Sequence, residues 1–190
     1  FIVPLSGGVK VLYTNRLGLH LLRGLCVVFA NITFFLGLAA LPLAEGVAIF
    51  FISPLLITIF SVIFLKEIVG PRRWVAVTIG LIGVLVILRP GSATFQAASL
   101  LPLSAAFGYA TLHMLTRYIG KTESAASMSF YIQLTFLVVC LISGLIIGDG
   151  KFSGWNDPSL EFLFRAWSWP SSDHYSILIL IGTTSAFGGF

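Results

Sequence analysis

Polar side chains occur at only a few places inside the long apolar runs of this chain, and those places are where chemistry could occur. Hydroxyl, amide, phenol and imidazole groups donate or accept hydrogen bonds, and a proline leaves a backbone carbonyl of its helix without the usual donor. A small molecule or a proton could bind beside such groups. The candidate residues are Asn31, Ser53, Pro54, Thr58, Ser61, Ser104, Tyr109, His113, Tyr131 and Gln133.

The Ser53-Pro54 pair lies in the middle of an uncharged run, residues 46–65. A proline at this depth frees a carbonyl near Phe50, and such groups are tolerated where they face protein or a water-filled cavity. Thr58 and Ser61 follow on nearly the same helix face. These residues therefore predict a polar stripe that faces a cavity, with an ordinary packed kink as the alternative.

Tyr109 and His113 are four residues apart and share a helix face. An intramembrane histidine can carry a proton, but Arg117 follows four residues later, so a hydrated histidine at the membrane surface is the alternative. Asn31 must find a partner inside the bundle, either another helix or a substrate. The same two interpretations apply to Ser104, and to Tyr131 and Gln133 in the next helix. An acid at the outer end of a helical hairpin, Glu45, could couple protons or simply reach water.

No residue pattern in the sequence indicates an enzyme. The apolar runs contain no Ser/His/Asp constellation, no paired acids and no metal-ligand spacing, and no glycine-rich phosphate loop is present. Cys26 and Cys140 lie far apart inside apolar runs, where small buried side chains are expected. We expect no catalytic residue, no metal and no cofactor.

The composition indicates a membrane protein. Hydrophobic residues make up 57% of the chain and charged residues 9%, whereas soluble domains carry about 25% charged residues. The net charge of +4 is distributed in short clusters between apolar runs, which favours membrane topology over a nucleic-acid partner. The sequence therefore predicts an all-α polytopic protein, a helical bundle in a lipid bilayer.

Six apolar runs are candidates for membrane spans, since a span needs about 20 mostly apolar residues. They cover residues 24–44, 46–65, 74–88, 96–117, 124–148 and 175–190. The tryptophan-rich segment 149–174 is an outer loop in this interpretation, and Pro42 and Glu45 mark a tight turn between the first two spans. Both ends of the chain are apolar, so we expect it to be cut at both ends, the last span included.

The positive charges alternate across these runs and predict the orientation. Eight of the eleven Lys and Arg residues lie on one side, which the positive-inside rule makes cytoplasmic. That side carries Lys10, Arg16, Arg23, Lys66, Arg72, Arg73, Arg117 and Lys121, and the other carries Arg89, Lys151 and Arg165.

The segment from Arg23 to Gly91 resembles the EamA-type repeat of the drug/metabolite transporter (DMT) superfamily. The resemblance depends on the order and spacing of short motifs rather than on any one of them. They are Arg23-Gly24-Leu25, the run from Ala40 to Glu45, Ser53-Pro54-Leu55, Leu65-Lys66-Glu67, Arg72-Arg73-Trp74, the run from Gly80 to Val84, and Arg89-Pro90-Gly91. Residues from Ala97 onward resemble the opening of a second repeat more loosely.

The resemblance implies a ten-helix transporter built from two inverted five-helix repeats. Residues 1–91 would be the C-terminal part of the first repeat and residues 92–190 the N-terminal part of the second. The implied function is secondary transport of a small metabolite, amino acid, amine or drug-like compound across the bacterial inner membrane by alternating access. A membrane-embedded enzyme and a structural membrane subunit stay open as alternatives, and so does a homodimer.

Overall fold

The described part of the chain is helical and contains no strand. The computed structural model describes residues 13–14, 16–88 and 96–188. The α-helices within these ranges are α1 (Leu17–Ala40), α2 (Leu43–Phe50), α3 (Ser53–Leu65), α4 (Pro71–Leu88), α5 (Leu100–Ile119), α6 (Ala125–Ile147), α7 (Pro158–Phe164) and α8 (Tyr175–Gly188). Short 3-10 turns at Ala97–Ser99 and Ser172–His174 precede α5 and α8.

Helices α1 and α5 form the centre of the bundle and run antiparallel. Gly37 lies against Pro102 near one end of the pair, Gly108 against the Cys26 carbonyl in the middle, and Arg23 against Thr116 near the other end. A Cβ atom on Gly108 would lie 3.2 Å from that carbonyl oxygen. Small residues allow the two backbones to approach this closely, as is common between membrane helices.

The largest buried cluster joins α3 and α4 to α5. It consists of Ile52, Leu55, Leu56, Val84, Ala106 and Ala110. The alanines on α5 are fully buried, which leaves room for the branched side chains of α3. Helix α4 contributes Val84 to this core, with Val77 partly buried against it, and is exposed over most of its length. Its outward face carries valine, isoleucine and leucine, as a lipid-facing surface does.

Four helical segments are long and apolar enough to cross a membrane: Leu17–Ala40, Leu43–Leu65, Ala97–Ile119 and Ala125–Ile147. The runs 74–88 and 175–190 also lie in helices, α4 and α8, but these two are not among the four. That α4 and α8 cross the membrane stays a prediction. The all-helical polytopic class predicted from composition is confirmed.

The helix bounds differ most from the uncharged runs at the first span. Helix α1 begins at Leu17, although the uncharged run begins at Gly24, because His20 and Arg23 pack inside the bundle and do not end the helix. Two positions used in the charge count, Lys10 and Arg89, lie outside the described residues, as does the Pro90-Gly91 pair.

Candidate functional site

The span Leu43–Leu65 is interrupted at its centre. Helix α2 ends at Phe50 and α3 begins at Ser53, and the two residues between them, Phe51 and Ile52, stay in the right-handed region with ψ angles of −3° and −16°. Pro54 lies in the first turn of α3, where its missing N–H costs nothing. The proline therefore begins a second helical segment within the span Leu43–Leu65.

Three hydroxyl-bearing residues of α3 are buried close to this interruption. Ser53 is 4% exposed, Thr58 is 2% exposed and Ser61 is fully buried. The Thr58 hydroxyl donates to the Pro54 carbonyl at 2.9 Å, which satisfies an acceptor in the first turn of α3. The predicted stripe of Ser53, Thr58 and Ser61 thus faces protein and not lipid.

A cavity of about 380 Å³ opens beside the interruption, between α3 and α4. Pro54 and Thr58 lie on its wall, and Arg73 and Arg117 bring positive charge to it. The other lining residues are Phe51, Leu55, Ile57, Ala76, Val77 and Gly80. The cavity therefore combines an aromatic ring, small apolar side chains and two guanidinium groups.

Arg117 joins three parts of the bundle at the end of this cavity. Its Nη1 atom donates to Ser61 Oγ on α3 and to Glu67 Oε2 in the connection to α4, each at 3.0 Å. The Arg117 and Glu67 side chains are 40% and 38% exposed, so the ion pair itself contributes little stability. The ion pair instead fixes the position of the Arg117 guanidinium, which lies at the cavity next to the buried Ser61 hydroxyl.

The remaining candidates lie elsewhere, and some are satisfied within their own helices. The Asn31 amide donates to the Val27 carbonyl at 2.8 Å, and the Ser104 hydroxyl donates to the Leu101 carbonyl at 2.7 Å. Such bonds to the preceding turn are common for polar side chains in helices and require no ligand. Gln133 is exposed on α6. Neither Asn31 nor Ser104 lines the cavity beside Pro54.

Tyr109 and His113 belong to a row of stacked rings in the bundle. The Tyr109 ring centroid lies 4.4 Å from that of His113 and 5.4 Å from that of Phe50, and Phe50 lies 4.9 Å from Phe34. Edge-on and tilted contacts at these distances are favourable for aromatic pairs. The two residues share a face, as their spacing predicts, and the row joins α1, α2 and α5.

A second polar group lies where α1, α5 and α6 meet, and of its members only Tyr131 is among the candidates named from sequence. We call it the His20 cluster: His20, Arg23, Thr116, Glu123 and Tyr131. His20 is fully buried and Arg23 is 3% exposed. Arg23 Nε donates to Thr116 Oγ1 at 3.0 Å, His20 Nε2 lies 3.7 Å from Glu123 Oε2, and the His20 and Tyr131 rings are 4.7 Å apart.

The charge count missed this cluster, because it treated Arg23 as a flanking charge and began the span at Gly24. One signal could have found it. His20 and Arg23 are three residues apart, on one helix face, and large apolar residues surround them on both sides. That pattern is expected of a helix that continues with its polar face inward.

Residues 149–174, predicted to be an outer loop and called the outer segment below, cover another cavity, of about 590 Å³, lined also by α1 and α6. The Ser159 hydroxyl of α7 donates to the Leu36 carbonyl at 2.8 Å and fixes α7 against α1. Trp167 packs on Gly144, and the Arg165 guanidinium lies 4.8 Å from the centre of the Phe162 ring.

Near the start of this segment, the exposed Lys151 lowers the pKa of Asp149 through their side-chain hydrogen bond.

Comparisons with known proteins show which family the sequence resembles. Residues 2–89 match the EamA-like transporter family. The chain is 38% identical over 124 residues to the riboflavin transporter of Vibrio cholerae, an alignment that covers 65% of this chain and 42% of the relative. No solved structure matches the chain.

Two further relatives align over nearly the whole chain. The S-adenosylmethionine uptake transporter of Rickettsia prowazekii is 28% identical over 180 residues, covering 95% of this chain and 55% of the relative. The riboflavin transporter of Brucella anthropi is 29% identical over 184 residues, covering 96% and 60%. The chain thus spans about half the length of the curated relatives it matches. Residues 2–89 are thus similar to the EamA-like transporter family, and the bacterial relatives and the helices long enough to span a membrane indicate a multi-pass inner-membrane protein.

Proposed function

We propose that this chain belongs to a secondary transporter that moves a small metabolite across the bacterial inner membrane by alternating access, with its path at the interrupted span. The observation that carries the proposal is the cavity beside Pro54, which places one buried hydroxyl residue, Thr58, and two arginines next to a helix break. Irregular backbone at membrane depth is tolerated where it lines a cavity or is buried in protein. A transporter uses such a place to bind substrate and to bend.

The family match supports the transporter over an enzyme or a structural subunit. The relatives described above are named as transporters, and each is about twice as long as the aligned part of this chain. We propose that residues 1–91 and 92–190 belong to two inverted five-helix repeats of a ten-helix protein. In that arrangement the path lies between the repeats.

The chemistry of the cavity suggests the kind of substrate. Phe51 is 69% exposed and presents a flat apolar ring, and Arg73 and Arg117 offer planar cations that stack on rings and bind oxygen anions. The relatives are named for riboflavin and S-adenosylmethionine, both of which contain a heteroaromatic ring system. We propose these two compounds as the first substrates to test, at the wall that Phe51 and the arginines form.

A matched pair of arginines gives the test. Arg73 lines the cavity and its neighbour Arg72 does not, yet both lie in the first turn of α4 and carry the same charge. The native protein, reconstituted in liposomes, is assayed for counterflow of labelled riboflavin and S-adenosylmethionine. We expect Arg73→Gln to raise KM for the transported compound several-fold and Arg72→Gln to leave it nearly unchanged.

Two outcomes would count against the proposal in different ways. Absence of counterflow with these compounds and with a wider metabolite panel would contradict the transport function. Counterflow with equal KM in both variants would keep the function and remove the cavity beside Pro54 from the path. Melting temperatures in detergent, measured for the same samples, show whether either variant has simply lost its fold.

A further inference from the structure

We propose that His20 and Glu123 form a proton-binding site that couples transport to the pH gradient. The inference rests on the proposed transport function, and it assigns a second role to a part of the bundle away from the cavity beside Pro54. It starts from buried polar atoms that the fold leaves unsatisfied.

His20 is the least satisfied polar side chain of the described residues. It is fully buried, and neither Nδ1 nor Nε2 has a hydrogen-bond partner. The nearest acid oxygen, Glu123 Oε2, lies 3.7 Å from Nε2, beyond hydrogen-bond distance. A buried ring in this state has lost its hydration without gaining a hydrogen bond in its place.

Proton binding would give His20 the hydrogen bond that it lacks. An imidazolium beside a carboxylate forms a charge-assisted hydrogen bond, which is shorter and about twice as strong as a neutral one. A movement of less than one ångström would close the gap between Nε2 and Oε2. The proton adds to a ring nitrogen and no other bond is broken, so the His20 cluster changes from net neutral, with Arg23 opposite Glu123, to net positive.

Every element packed around His20 contributes a group that acts on this equilibrium. Helix α1 carries Arg23, whose Nη1 also lacks a hydrogen-bond partner, and α6 carries Tyr131, whose ring stacks on the imidazole. Helix α5 contributes Thr116, whose hydroxyl oxygen accepts from Arg23, and the connection from α5 to α6 carries Glu123. Glu123 is therefore the one acid in the immediate surroundings of His20 among the described residues, and the nearby Arg23 makes its carboxylate essential for holding the proton.

The carboxylate also gives the proton a route. The Glu123 side chain is 13% exposed, and its other oxygen, Oε1, accepts from the Thr14 hydroxyl at 2.7 Å. Water can thus reach Glu123 from the end of the bundle that the charge distribution predicts to be cytoplasmic, while His20 behind it is closed to solvent. Since His20 lies on α1 and Glu123 precedes α6, proton binding draws together two elements that also contact α5.

A comparison of accumulation driven by a pH gradient with counterflow distinguishes a proton-coupling role of His20 and Glu123 from a structural one. In proteoliposomes, counterflow needs no net proton movement, whereas accumulation driven by a pH gradient does. For one proton per uncharged substrate, a gradient of one pH unit supports about tenfold accumulation, since one unit is about 1.36 kcal/mol. We expect the native protein to reach this level, and His20→Gln and Glu123→Gln to stop at equal concentrations while counterflow continues. His174→Gln, an exposed histidine on the outer segment, should behave as the native protein does.

Two results would overturn the inference. The first is unchanged accumulation in Glu123→Gln, or its loss in Glu45→Gln instead. The second comes from NMR of the histidine-labelled protein in detergent, which does not depend on transport: the His20 signal should titrate, and Glu123→Gln should move its midpoint. A His20 midpoint that Glu123→Gln leaves in place would refute the site even if transport itself fails. Loss of counterflow in the native protein would refute the proposed function alone.

Discussion

The close approach of α1 and α6 gives a prediction whose size can be worked out from the structure. A Cβ atom added at Gly24 would lie 2.3 Å from Thr135 Oγ1 and 2.5 Å from Thr135 Cβ, closer than atoms pack. Gly24→Ala must therefore push the two helices apart, and overpacking of this kind costs about 1–3 kcal/mol. The higher helix propensity of alanine offsets about 1 kcal/mol of that cost.

Gly80→Ala is the matched control for Gly24→Ala. Both are glycine-to-alanine changes within helices, but a Cβ atom at Gly80 meets no atom within 4 Å. The propensity gain is common to both, so the difference between their free energies of unfolding isolates the steric term. We expect Gly24→Ala to be less stable than Gly80→Ala by about 1–3 kcal/mol in a detergent unfolding titration. Free energies of unfolding equal to within about 0.5 kcal/mol, the ordinary effect of a surface substitution, would refute the close packing of α1 on α6.

Three further predictions concern orientation, the helix break and the outer segment. With the native cysteines replaced, Gly70→Cys should be protected from an impermeant thiol reagent added outside and Trp155→Cys should react; the reverse pattern would invert the topology. Pro54→Ala should let α2 and α3 join, so transport should fall while the melting temperature holds or rises; normal transport with unchanged melting would show that the break is not used. Asp157 caps α7 by accepting from the Ser159 and Leu160 amides, so Asp157→Ala should cost about 1 kcal/mol and speed proteolysis in the outer segment, and an unchanged cleavage rate would contradict that role.

Hydropathy was sufficient to predict the long apolar helices, because a membrane span requires mainly a long uncharged stretch of sequence. The turn at Pro42 and the interruption at Pro54 could also be predicted, since proline lacks the N–H that a continuous helix requires. These features depend on residues close together in sequence. The helical class and the family therefore follow from local pattern.

The polar contacts could not be predicted in the same way, because their partners are far apart in sequence. Arg117 bonds Ser61 across 56 positions, and Arg23 bonds Thr116 across 93. Each arginine counts as a topology signal in a linear sequence, and only packing decides which of them enters the bundle. Asn31 shows the opposite case. Its amide donates to the Val27 carbonyl of its own helix, so it does not require the partner on another helix or on a substrate that we expected from its polarity.

Substrate protection of a single cysteine in the cavity beside Pro54 tests the central claim most directly. Ala76 lines that cavity, and Val75, one residue earlier on α4, is 59% exposed and does not line it. Each is replaced by cysteine in the native protein after Cys26 and Cys140 are changed to alanine, and labelling rates by a thiol reagent are measured with and without riboflavin or S-adenosylmethionine. If the cavity is the substrate path, the transported compound should slow labelling of Ala76→Cys several-fold and leave Val75→Cys unaffected. Equal rates at Ala76→Cys with and without a compound that the protein demonstrably transports would contradict the account.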